Sequence, residues 1–390
     1  MIKGQHTLVI GGGVIGSAIA CFLARDHGVR VTVLERDLTF SRASSALSAS
    51  SIRQQFSTPV NIALSQASLA FLRCVGDELA VGDERPALGL VEAGYLYLVG
   101  SAGTATLRRL HALQTAQGAD ARLLDAQALA ARWPWLDTTG IALGSWGAQG
   151  EGWFDGPALH AAFRRKAGAC GVRFMPAEVQ SFETRGAQVL AALDGTGTRH
   201  AADRVVIAAG AWSARLAGPL GFALPVAPKK RDVFVVESPA ALPGCPLIID
   251  PSGVWLRPEG SVFLTGAPPR DGDPDEPPLD AIDHALFEDL IWPTLAARIP
   301  AFEALRVRSA WAGYYKMNAF DHNAVVGALP GWDNAFIACG FSGHGMQHAP
   351  PVGRGLASLI ASGQWGPIDL DALSPLRLLR GEPLVETNVI

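Results

Sequence analysis

Apolar residues in this chain fall into two patterns. One is a short, unbroken, β-branched run of the kind expected for a strand buried on both faces. Thr7–Ile10 is such a run, followed at once by Gly11-Gly12-Gly13-Val14-Ile15-Gly16 and by Ser17–Ala24, which predicts a helix. A second strand is predicted at Arg30–Leu34 and ends on Glu35. The same pattern returns at Ala202–Ala208, which runs into the small-residue turn Ala209-Gly210-Ala211. It returns again at Asn334–Cys339, which runs into Gly340-Phe341-Ser342-Gly343-His344-Gly345 and a further predicted helix. The other pattern is looser. Helical spacing predicts helices over Thr58–Val75, Thr104–Gln117 and Pro157–Cys170, and over Leu286–Ile299 despite Pro293. Strands are predicted at Gly94–Val99, Val172–Met175, Val179–Phe182 and Val189–Leu193, and Ala267–Pro278 reads as a polar, proline-rich loop.

This distribution predicts an α/β protein with a discontinuous nucleotide-binding domain of Rossmann type. It draws on residues 1–80, 150–215 and 325–390. Residues 81–149 and 216–324 are expected to form a second, substrate-binding domain, a mainly antiparallel β-sheet flanked by helices.

Composition narrows the class. The 390 residues are 49% hydrophobic and only 17% charged, enough apolar surface for a large core. A net charge of −4 argues against nucleic acid as a general partner. The basic cluster Lys229-Lys230-Arg231 precedes the apolar run Val233–Val236 and reads as a solvated strand entry. Cysteines 21, 74, 170, 245 and 339 form no Cys-x-x-Cys pair, which suits a reducing compartment and no zinc ribbon. His344 and His348 enclose no glutamate, so no metal site is expected there. Leu8–Ala24 is apolar enough to suggest a signal peptide or membrane span. It is short, rich in glycine and followed by a strand ending in an acid, so the expectation is a soluble, cytoplasmic protein without a membrane span.

Chemistry concentrates in three places. Gly11, Gly13 and Gly16 fit G-x-G-x-x-G: a tight turn, close approach of backbone to a pyrophosphate, and close helix–strand packing. The helix start at Val14 and Ile15 offers N–H groups to phosphate, and Glu35 is placed to accept from a ribose diol. Alone, this unit fits FAD or the nicotinamide cofactor of an NAD-dependent dehydrogenase. Second, Ser41–Ser51 is rich in Ser and Ala, small enough to let a flat ring pass and able to bond its edge. Third, the turn and helix start at Gly340–Gly345 present N–H groups that would stabilise negative charge on a reduced flavin; Gly343, His344, Gly345 and Met346 are the candidates.

Taken together, Gly11–Gly16 with Glu35-Arg36, the Ser44–Arg53 stretch, Ala208–Trp212 and Gly340–Gly345 resemble the D-amino-acid oxidase/sarcosine oxidase superfamily of flavoproteins. Ser309–Tyr315, Phe320-Asp321 and Gly340–Pro350 are similar to a branch with mitochondrial and bacterial members. The resemblance implies FAD and a ring lined by Ser44, Ser45 and Ser48. It places Val179 near adenine, and Ala209, Gly210 and Trp212 beside the ADP part. Related enzymes attach flavin through a cysteine at the position of Gly313 or a histidine near Ala46–Leu47; neither side chain exists here, so FAD is expected to be non-covalent. Arg53 matches an arginine that binds substrate carboxylate, and Tyr315 an active-site tyrosine near His344 in the chain. Gln347 stands where relatives carry a second anchoring lysine, and Arg257 lies near the position of a lysine that assists reaction with oxygen.

The implied activity is oxidation of the C–N bond of an amino acid or N-methylated amino acid, by hydride transfer to flavin. The product imine then hydrolyses, and O2 or another acceptor takes the electrons. The alternative in a different class is a flavoprotein assembly or scaffold component, or a subunit of an oligomer, without catalysis of its own.

Overall fold

The computed structural model describes residues 5–268, 272 and 274–388. Residues 269–271 and 273 of the predicted loop at 267–278 lie outside the described residues.

Six strands form one sheet, in the order Val325–Ala328, Ala335–Cys339, Arg204–Ile207, His6–Ile10, Arg30–Glu35 and Arg173–Pro176. All neighbours are parallel except the first pair. The register sets Leu8 against Val205 on one side and Thr32 on the other. These strands read as continuous apolar runs because both faces of the sheet are covered: Val9, Val31, Val33 and Val206 face one core, while Leu8, Ile10, Val205 and Ile207 face another, shared with the three-stranded sheet of Val179–Arg185, Gln188–Asp194 and Arg199–Ala201. Over the first face lie helices Val14–His27, Gly156–Ala169 and Gly345–Ser362. The first and last approach closely because residue 353 is glycine; a Cβ there would stand 2.7 Å from that of Ala18.

An eight-stranded sheet lies beside it, in the order Arg306–Asn318, Val226–Glu237, Val262–Gly266, Trp255–Glu259, Leu247–Ile249, Tyr95–Val99, Leu143–Gly147 and Ala121–Asp125. All its pairs are antiparallel save Leu247–Ile249 with Tyr95–Val99. Its strands come from within 81–149 and 216–324, and the six-stranded sheet draws on the remainder. The fold is the mixed α/β arrangement that the apolar pattern predicted.

Two local readings need correction. The segment expected as one helix over Leu286–Ile299 is a helical turn at His284–Leu286, a π-helical turn at Phe287–Ile291 and a helix at Trp292–Arg298. Pro293 explains the break: it lacks an N–H and its ring crowds the carbonyl a turn earlier, and the wider π turn relieves both. The cluster Lys229–Arg231 is not a strand entry but lies inside the strand Val226–Glu237. Pairing with Tyr315, Tyr314 and Gly313 on the neighbouring strand holds it there, and alternation turns Arg231 onto the ring of Tyr315. No helix among the described residues is long and apolar enough to cross a membrane.

Candidate functional site

Two cavities of about 1080 and 1190 Å³ run between the sheets. Val14, Ser44, Ser45 and Lys316 line both, so the cavities form one trench suited to an elongated ligand.

The first cavity is the nucleotide end. Gly11, Gly13, Val14, Ile15, Glu35, Arg36, Val179, Ala209, Gly210 and Trp212 line it, as the glycine pattern and the resemblance place them. Gly11 has φ +98°, and a Cβ on it would meet the Ala208 carbonyl at 2.5 Å. A Cβ on Gly16, which packs below the lining, would stand 1.9 Å from the Gly11 carbonyl oxygen. So Gly11 makes the turn and Gly16 seats the helix on the strand. Glu35 holds the loop as well as facing the cavity: it accepts from the Gly12 N–H at 2.7 Å and the Asp37 N–H at 3.1 Å. Arg36 stacks its guanidinium 3.8 Å above the Trp212 ring.

The serine loop differs from expectation in one respect. Its hydroxyls are occupied within the protein. Ser45 Oγ accepts from the Val14 N–H at 2.8 Å, Ser44 Oγ donates to the Tyr314 carbonyl at 2.7 Å, and Ser48 Oγ accepts from the Ser50 N–H at 3.1 Å. Trp311 Nε1 donates to the Leu47 carbonyl, and Arg257 Nη2 to that of Ala49. The loop is therefore a stitched seam between the sheets. Ser44, Ser45 and Ser48 line the trench with their hydroxyls already engaged, and Ser45 retains a hydrogen to donate. The Val14 N–H, expected free for phosphate, is capped by Ser45; those of Ile15 and Gly16, in the first turn, have no carbonyl four residues back within the helix.

The second cavity brings together Arg53, Arg257, Gly313, Tyr315, Gly343, His344, Gly345, Met346 and Gln347. Gly340 stands behind it with φ +68°, packed on Val226. Ser342 and Gly343 also have positive φ, and a Cβ on Gly343 would strike the Tyr315 ring at 2.6 Å. That turn aims the start of the Gly345–Ser362 helix along the trench. Gly313 abuts Leu47, so no side chain capable of a covalent flavin bond stands there.

Arg53 is 2% exposed. Gln347 Oε1 accepts from its backbone N–H at 2.9 Å, so the residue in place of the expected second anchor positions the first. Arg53 Nη2 meets His344 Nε2 at 2.9 Å and the Asn388 carbonyl. A guanidinium can only donate, so His344 accepts there and is neutral. Burial and the Arg53 charge hold its pKa well below the usual imidazole range. Phe56, at 4.3 Å, Tyr97 and Tyr95 surround the guanidinium. Arg53 Nη1 is buried and has no hydrogen-bond partner among the described residues, nor has Arg257 Nε. Arg257 is otherwise tied to Ala49, Pro258 and Glu259, which spends much of its charge.

Several residues at or around the site lack any signal in the sequence. Lys316 follows Tyr315 on a strand and lines both cavities. Asp232 lines the second. Glu151, 2% exposed, accepts from the Gln54 N–H at 2.5 Å and Gln55 Nε2 at 2.8 Å, behind Arg53. Burial pushes its pKa up to about 7. Glu386 is fully buried and accepts from Ser57 N–H and Oγ, Thr58 Oγ1 and Asn61 Nδ2, which clamps the segment that carries Asn388. Among the described residues no group of acids, histidines and cysteines could hold a metal ion. His344 faces Arg53, and His348 lies against Ser65.

A protein-family model described as "DAO: FAD dependent oxidoreductase" matches residues 6–359. FAD-dependent oxidoreductase domain-containing protein 1 of Xenopus laevis is 40% identical, over 98% of this chain and 84% of that protein. Glycine oxidase of Geobacillus kaustophilus is 29% identical over 90% of this chain and 92% of its own. Among solved structures, L-proline dehydrogenase from P. horikoshii superposes with a TM-score of 0.84 at 26% identity, covering 98% of this chain and 99% of that one. The match selects FAD over the nicotinamide reading of the glycine pattern. The trench fits such a group: positive-φ glycines that a Cβ would fill at both ends, and an orphaned guanidinium nitrogen at the ring end.

Proposed function

This chain belongs to the DAO family of FAD dependent oxidoreductases, and we propose that it oxidises the C–N bond of an amino acid or N-methylated amino acid. Arg53 carries the reading: a buried guanidinium lining the cavity, with Nη1 lacking a partner, awaits an oxyanion. FAD, when bound, accepts a hydride equivalent from the carbon next to nitrogen. The chain's residues do the positioning. Arg53 Nη1 takes the substrate carboxylate, while Gln347, His344 and Asn388 fix its orientation. Tyr315 and Tyr95 wall the cavity and help exclude water. Neutral His344 places no second positive charge beside the amine, which must be uncharged to release hydride. The imine formed then hydrolyses in water. The relatives named glycine oxidase and 4-methylaminobutanoate oxidase support an amine-bearing carboxylate as substrate.

The test is anaerobic flavin bleaching against D-, L- and N-methyl amino acids and amines lacking a carboxylate, followed by air. Carboxylated substrates are expected to bleach the flavin, and Arg53→Met to weaken them by roughly 100-fold or more, as befits a desolvated charge-assisted pair, with FAD still bound. Bleaching by no compound would favour a non-catalytic assembly role, and an unaffected Arg53→Met would remove the anchor.

A further inference from the structure

Lys316 has no use in the scheme above, yet it lines both cavities where they join. We propose that Lys316 is the cation that meets the negative charge of the bound dinucleotide where its phosphate linker passes into the ring-bearing half. The inference rests on FAD as the ligand. Of the residues lining both cavities (Val14, Ser44, Ser45 and Lys316), only Lys316 is charged. Its stem lies between the two ends: Cδ is 3.9 Å from where a Cβ of Gly210 would be, and Cε is 3.5 Å from that of Gly345. Its carbonyl accepts from the Ser342 N–H at 3.1 Å, which ties the strand to the turn before the Gly345–Ser362 helix. The ammonium is thus held beside a helix N-terminus, and the two add positive potential at one place.

No described residue answers that charge: the Lys316 ammonium makes no hydrogen bond or ion pair among the described residues. Desolvation pushes its amine down to about 8. The ionisable group that bears on it is Cys339, whose buried thiol is pushed up to about 12 and is uncharged. The arginines lining the nucleotide cavity are differently placed: Arg36 faces Glu178 at 3.9 Å, Arg215 pairs with Glu276, and Arg42 is exposed to solvent. A half-buried, uncompensated ammonium facing a ligand trench costs stability that only an anionic ligand recovers. Two parts of the cofactor could supply the anion. The diphosphate carries charge permanently; the ring carries it only when reduced.

Lys316→Met and Lys316→Arg separate these sources in the stripped and reconstituted protein. FAD and riboflavin affinities are read by flavin fluorescence, and the two-electron midpoint potential with a reference dye. Lys316→Met removes an uncompensated charge, so the thermal midpoint of the apoprotein should not fall. If the diphosphate is the partner, FAD binding weakens at least tenfold in Lys316→Met, about 1.4 kcal/mol, with riboflavin unchanged. If the reduced ring is the partner, oxidised FAD binds as before and the midpoint potential falls by about 30 mV per tenfold loss of the reduced form. In either case Lys316→Arg stays within threefold of the parent. Unchanged affinity and potential in Lys316→Met, or a Lys316→Arg as impaired as Lys316→Met, would overturn the inference. A parent protein that binds no FAD would instead overturn the cofactor reading.

Discussion

At the nucleotide end of the trench, Gly11, Gly13, Gly16 and Glu35 come from one strand–helix–strand unit, and their contacts are largely with one another. At the ring end, Arg53 is held by His344, Gln347 and Asn388 and Arg257 by Ala49, all contacts between stretches far apart in the chain. The first end depends on the absence of side chains; the second depends on donors and acceptors meeting across long loops. A backbone-limited site has little tolerance for volume, whereas a side-chain network fails by stages, because each lost bond leaves others in place.

Three experiments sharpen that contrast. The largest effect is expected from Gly16→Val: its Cβ would collide with the Gly11 carbonyl, so the soluble protein should lose its FAD, read from the ratio of flavin to protein absorbance. An FAD-replete Gly16→Val would show that the nucleotide end is not limited by backbone contact. Next, Glu386→Ala leaves donors on Ser57, Thr58 and Asn61 unmatched and should cost roughly 3–5 kcal/mol in urea unfolding. It should also raise KM for carboxylated substrates more than it lowers kcat, because Asn388 no longer steadies Arg53; equal KM values would detach that segment from the site.

The smallest effect concerns pH. Burial raises the pKa of Glu151 in the folded protein to about 7, above the ordinary glutamate value of 4.5. Between those values the folded protein holds a proton that the unfolded chain has released. Stability should therefore fall as pH climbs through that window and level off above it, by up to about 3 kcal/mol. Glu151→Gln should flatten this slope in urea midpoints taken at pH 5 and pH 8. A parent protein with no such loss would mean that the Gln54 and Gln55 bonds outweigh burial.

Much of the molecule could be read from the chain because its signals are local. Strands such as Arg204–Ile207 and Ala335–Cys339 are recognisable as apolar runs closed by small-residue turns. Other features depend on partners distant in sequence. Arg53 could be singled out, but not the carbonyl of Asn388 or the imidazole of His344 that occupy one of its nitrogens. The serines of the 41–51 loop were recognisable as candidate lining, but not the bonds by which their hydroxyls engage Val14, Tyr314 and Ser50. Nothing near Glu386 marks it as a fully buried acid, since its donors lie at Ser57–Asn61.

The amino-acid sequence by itself determined the glycine-limited nucleotide end, with its fit to a dinucleotide, and the alternation that builds the two sheets. These follow from sterics and periodicity within a few residues. Only the tertiary structure decided which charges stand free: Arg53 keeps one nitrogen open, Arg257 is largely spent on its neighbours, and Lys316 stands uncompensated where the two cavities join. Whether a charge is answered depends on groups brought near by the whole fold, because Coulomb and hydrogen-bond energies depend on distance in space and on exclusion of water, not on separation along the chain.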